Sequence, residues 1–110
     1  MIQDTIRKIE ARISQSNNLN KDNKDALIEL VQTLRQEVQD LSKTHDEQAQ
    51  SITRFAEVSA HEATRQGKDP KLLDLSVKGL ESSVEGFEKS HPKLVALVNR
   101  ICTTLSNLGV

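Results

Sequence analysis

The sequence predicts an all-α protein: a long antiparallel helical hairpin with a short N-terminal helix, a three-helix bundle at one end and a two-helix, coiled-coil-like arm at the other. Three observations carry this. Apolar residues recur on a heptad-like rhythm, most clearly at Leu73, Val77, Leu80, Val84 and Phe87, then at Leu94, Val98, Ile101, Leu105 and Leu108. Neither Gly nor Pro interrupts residues 21–66. The composition, 35% hydrophobic and 28% charged with a mean hydropathy of -0.52, fits helices that each carry one thin apolar stripe. At 110 residues, positions 1–110 form a single domain by length.

The first helix spans about residues 2–16. Ile2, Ile6, Ile9 and Ile13 stack on one side of it, and Asp4 with Lys8 makes a favourably oriented surface pair. So short a helix is marginal in water, so its isoleucines must dock on the rest. Ser16-Asn17-Asn18 ends it. Asn20 is placed to cap the second helix, with Asp22 near the positive end of the dipole.

The second helix runs over about residues 21–66, a rod of roughly 70 Å at helical rise. Its first half carries Leu27, Leu30, Val31, Leu34, Val38 and Leu41. In its second half small residues take over, with Ala49, Ala56, Ala60 and Ala63 beside Ile52 and Phe55. Thr44-His45-Asp46-Glu47 has the form of a capping box, so a break near Thr44 is the alternative.

Gly67 is placed as a left-handed stop, and Asp69-Pro70 as cap and first residue of the third helix, about residues 70–89. Asp74 with Lys78 and Glu85 with Lys89 are surface pairs on it. Gly79 and Gly86 either weaken this helix, by up to about 1 kcal/mol each relative to Ala, or mark close helix contacts with the small-residue face. Ser90-His91-Pro92 is a hinge, because proline removes a donor and pushes the preceding residue out of helical angles. The fourth helix covers about residues 92–108, with Gly109 and Val110 completing a Schellman-type ending.

In the resulting hairpin the third helix faces residues 45–66, while the first and fourth face residues 22–43. The arm is then covered by only two helices. A two-fold homodimer is the commonest way to cover such a face. The expected interaction face is Ala49, Ile52, Phe55, Ala56, Ala60, Ala63, Leu73, Val77, Leu80 and Val84, with Ser90, His91 and Pro92 as hinge. The homodimer is the expected partner state, and a further protein partner is possible.

Several function classes are disfavoured. A net charge of -1 provides no basic field for nucleic acid. With no Trp or Tyr, and only Phe55 and Phe87, no base-stacking platform can be assembled. No apolar run approaches the roughly 20 residues that span a bilayer. Arg7 and Lys8 are not followed by a hydrophobic signal core, and the lone Cys102 suits a reducing compartment, so the expected location is the cytoplasm.

Phe87-Glu88-Lys89-Ser90-His91-Pro92-Lys93-Leu94, then Asn99-Arg100, then Leu105-Ser106-Asn107-Leu108-Gly109-Val110, resembles the ending of a small bacterial family catalogued as a domain of unknown function (domain of unknown function 4404). The stretch His61-Glu62-Ala63-Thr64-Arg65 and the opening Ile6-Arg7-Lys8-Ile9-Glu10 also look like its longer members. The resemblance implies a small, helical, bacterial protein, and implies no reaction, ligand or partner.

No set of residues stands out as catalytic. His91 is either a packing and capping residue or a pH latch or metal ligand at the kink. His61-Glu62 fails the zinc-protease pattern because position 65 is Arg. Glu57 with His61 could offer two ligands, but His45 lies about four turns away on a continuous helix. Cys102 sits beside the apolar stripe as a small core residue. Glu81, Glu85 and Glu88 read as solvated surface, as does the edge of Arg54, Arg65 and Lys68 against Glu57, Glu62 and Asp69. No cofactor, metal or catalytic site is expected. The reading is a non-enzymatic helical interaction or oligomerisation module. The alternatives are a protein that lays amphipathic helices on a lipid or granule surface, and a metal- or pH-switched regulator acting through His91.

Overall fold

Residues 2–108 are described by the computed structural model. They form five helices: α1 (Ile2–Gln15), α2 (Lys21–Ser42), α3 (Asp46–Thr64), α4 (Pro70–Ser83) and α5 (Pro92–Leu108). Among the described residues there is no strand, so the all-α class is observed. The expected ending at Gly109 and Val110 lies outside the described residues.

Two of the expected caps form. Asn20 Oδ1 accepts from the Asn23 amide at 2.8 Å, and Asp69 Oδ1 accepts from the amides of Lys71 and Leu72 at 3.0 and 3.4 Å ahead of Pro70. The stop at Gly67 is made differently. Gly86, at φ +93°, is the one glycine in the left-handed region among the described residues, and α3 leaves the helix through an extended Arg65. Gly86 explains the early end of α4. The helix stops at Ser83 rather than near Lys89, so Glu85 and Lys89 are not a helical pair.

The larger correction concerns the second helix. The 70 Å rod does not exist in a molecule whose longest dimension is 37 Å. The helix breaks over Lys43-Thr44-His45. The Lys43 and Thr44 amides bond to Asp40 and Leu41 carbonyls, tightening the last turn, and His45 leaves helical angles at φ -137°, ψ 63°. The Thr44 hydroxyl donates to the Leu41 carbonyl at 3.4 Å, drawn back onto α2 instead of forward as a cap. The capping box therefore does not form. His45 is the N-cap of α3 and makes no side-chain cap bond.

The break turns α3 back along α2 and removes the two-helix arm. The chain now runs up and down five times, and α3 stands in the middle, packed on each of the other four helices. Residue pairs fix the directions. Gln3 bonds Gln39 at 2.9 Å and Lys24 Nζ reaches the Ser14 carbonyl at 3.2 Å, so α1 and α2 are antiparallel. Arg12 meets His61 and Asn18 reaches the Thr64 carbonyl, so α1 and α3 run parallel. Cys102 meets the Val77 carbonyl and Lys68 reaches the Leu108 carbonyl, so α4 and α5 are antiparallel.

Position explains the composition of α3. A helix that packs against four others needs short side chains on its inner side, and Ala49, Ala56, Ala60 and Ala63 are all buried with Ile52, Thr53 and Ser59. Where α1, α2, α3 and α5 meet, an apolar void of about 10 Å³ remains between Ile13, Val31, Ala60 and Leu105. One apolar core results, with buried residues from every helix, including Ile6, Ile9 and Ile13 of α1. An ion pair between Glu10 and Arg35 closes the α1–α2 seam.

Candidate functional site

Nine of the ten expected interface residues are inside the protomer. Ala49, Ile52, Ala56, Ala60, Ala63, Leu73, Val77, Leu80 and Val84 are buried against the chain's own helices, and none is open to a second molecule. The small-residue stripe is an internal packing surface, formed because α3 folds back instead of extending. Phe55 alone of the ten is substantially exposed, at 41%.

Phe55 belongs to a different face. Among the described residues, four large apolar side chains stand in water: Phe55 and Val58 on α3, and Leu72 and Leu75 on α4. All are on the α3–α4 hairpin. The Phe55 ring lies over Gly79, where an added Cβ would come within 2.5 Å of Phe55 Cε1. That contact fixes the register of the hairpin at this point, and Leu75, one turn before Gly79, lies on the same side of α4 as Gly79. Leu72, Leu75 and Gly79 form a second helical stripe next to the buried one. This signal was in the sequence, since leucines out of register with the core stripe have no partner inside the fold. The charges along the face are mixed, with Arg65 on Glu62 at 3.1 Å and Lys78 on Asp74 at 2.9 Å. The hydrogen bond from Lys78 to Asp74, with the carboxylate's charge, pushes the Lys78 amine above its usual range.

A second cluster joins two turns at one end of the bundle. His45, at the α2–α3 break, packs edge-on against Phe87 at 5.5 Å between ring centres, and Phe87 packs on His91 at 5.6 Å. The histidine rings are 6.2 Å apart and nearly perpendicular. The expected hinge is thus the docked end of a linker, not a kink in one rod. The Val95 amide donates to the His91 carbonyl at 3.2 Å as α5 begins, and the His91 amide donates to the Phe87 carbonyl at 2.8 Å. The expected hairpin already set the Ser90-His91-Pro92 junction opposite His45, and the break in α2 turns His45 itself into a corner against it.

At the opposite end, an open groove of about 430 Å³ lies between the last turns of α1 and α3, lined by Lys8, Arg12, Asn17, Asn18 and Gln66. Arg12 meets His61 Nδ1 at 2.9 Å. The groove is open to solvent, and of its lining side chains Arg12 and Asn18 are held by His61 and the Thr64 carbonyl. Cys102 is buried, and burial, reinforced by the negative charge of Glu81, raises its thiol pKa to about 12. Such a thiol is held protonated and inert. No helix among the described residues is long and apolar enough to cross a membrane.

The family described as Domain of unknown function (DUF4404) matches residues 27–110, which is 84 of the chain's 110 residues. The chain belongs to this family. The matched region contains α3, α4 and α5, the ring cluster and the exposed α3–α4 face, and begins within α2. No curated protein and no solved structure gives a significant match.

Proposed function

We propose that this family member is a non-enzymatic helical interaction module of the cytoplasm, and that it self-associates as a two-fold homodimer through the outer face of the α3–α4 hairpin. The observation that carries this reading is that the four large apolar side chains exposed among the described residues, Phe55, Val58, Leu72 and Leu75, all belong to the α3–α4 hairpin. Exposed apolar groups gathered on one face mark association surfaces, whereas scattered ones do not. A second copy suits the chemistry. The face carries charges of both signs in short-range pairs, so rotation by a two-fold axis can set acid against base. A polyanion or an anionic membrane would call for excess cations, and the chain's net charge is -1.

Size-exclusion chromatography with light scattering tests the reading. A dimer at micromolar concentration is expected for the native chain, and a monomer of unchanged helicity for Leu75→Glu, a residue 67% exposed that holds no core position. A strictly monomeric native chain at high micromolar concentration would overturn it.

A further inference from the structure

We infer that His45 and His91 form a two-imidazole site for a divalent transition-metal cation, copper(II), nickel(II) or zinc(II), which when bound ties the α2–α3 turn to the α4–α5 linker. Imidazole is the side chain these borderline cations prefer, and two imidazoles with water in the remaining positions make a site that responds to metal supply.

The distance fits. A metal–nitrogen bond of about 2.0–2.1 Å places each ring centre roughly 3.2 Å from the ion, so two rings sharing one ion lie roughly 5–6.4 Å apart, from tetrahedral to linear arrangements. The observed separation of 6.2 Å lies near the linear end of that range, where the two nitrogens stand on opposite sides of the ion. Phe87 sits against both rings and closes one side of the pair with an apolar wall, which strengthens charge–dipole interactions at the site.

Hydrogen bonding prepares the nitrogens. Each histidine has its Nδ1 beside the hydroxyl of the preceding residue, Thr44 Oγ1 at 2.8 Å for His45 and Ser90 Oγ at 3.0 Å for His91. The Thr44 hydroxyl already gives its hydrogen to the Leu41 carbonyl. The site uses the tautomer in which the Thr44 hydroxyl accepts from His45 Nδ1–H, which leaves the Nε2 lone pair free for a metal. An oriented Nδ1–H with a free Nε2 is the arrangement that metal-binding histidines use. Among the described residues no group of three or more ligating side chains is gathered anywhere, so water supplies the other ligands here. His61 is occupied by Arg12 and Glu62 and serves as an internal control.

The test is calorimetric and thermal titration of the tag-free chain with zinc and copper salts. Binding of one ion per chain at micromolar concentration is expected, with a melting temperature that keeps rising as free metal increases. His45→Ala and His91→Ala should each abolish the shift, His61→Ala should leave it unchanged, and Thr44→Val should weaken binding about 10-fold or more through loss of ring orientation. Copper-induced broadening of ring-proton resonances in the native chain gives a readout independent of any variant: His45 and His91 should broaden together and before His61. Absence of binding at millimolar metal, survival of binding in His91→Ala, or earlier broadening of His61 would each overturn the site.

Discussion

The ring of Phe55 rests on the backbone of Gly79, so close that a methyl group at position 79 would meet Phe55 Cε1 at 2.5 Å. Phe55 is exposed enough to swing away. Gly79→Ala should therefore leave the monomer nearly as stable as before, because alanine's helix preference of up to about 1 kcal/mol offsets the lost ring contact. It should weaken self-association by displacing Phe55. Urea denaturation and light scattering on the same sample separate the two effects.

Ala60 is a core residue at the centre of the bundle, next to the void bounded by Ile13, Val31 and Leu105. Ala60→Glu should abolish cooperative folding, because an unpaired buried carboxylate costs a large share of the roughly 5–15 kcal/mol that holds a domain together. Loss of the far-ultraviolet helical signal is the expected outcome. A folded monomer would instead place Ala60 at an intermolecular surface.

Ser59 is fully buried, and its hydroxyl has no hydrogen-bond partner. An unsatisfied buried hydroxyl costs about 1–3 kcal/mol, so Ser59→Ala should stabilise the protein by roughly 1 kcal/mol or more. The midpoint of urea unfolding would move upward with its slope unchanged.

The Cys102 thiol has its pKa raised from 9.0 to about 12 by burial and by Glu81. The unfolded chain therefore loses this proton first as pH rises. The stability that the protonated thiol contributes is intact below pH 9 and declines from there toward pH 12, by at most about 1.4 kcal/mol per pH unit. Cys102→Ala should flatten that part of the alkaline profile. A thiol reagent at neutral pH should react with the native chain only as fast as the chain opens.

Much of the architecture was legible because it depends on local chemistry. Asn20 and Asp69-Pro70 act as caps, and the apolar positions of α1, of α2 and of α5 up to Leu105 are those that the helical periodicity selects. The course of the chain at Lys43-Thr44-His45 was not legible in the same way. Residues 21–66 contain no breaker, and the capping-box pattern at Thr44 pointed to the break through a mechanism that does not operate. What decides the break is tertiary: by turning back, α3 packs against α1, α2, α4 and α5, and its alanines are sized for that position. The same cause hid the site. A small-residue stripe looks alike whether it meets another molecule or four helices of its own chain. Leu72 and Leu75 marked the open face, but only once Leu73 and Val77 were known to point inward.

The family match begins at residue 27, yet the core it encloses is completed by α1, whose Ile6, Ile9 and Ile13 are covered by α2 and α3. A chain cut after Asn20 would thus present an empty apolar trough the width of one helix. A synthetic peptide of residues 1–20 added to such a fragment should restore its melting transition. The bundle would then be two complementing pieces, with α1 as a detachable wedge whose three isoleucines supply the affinity.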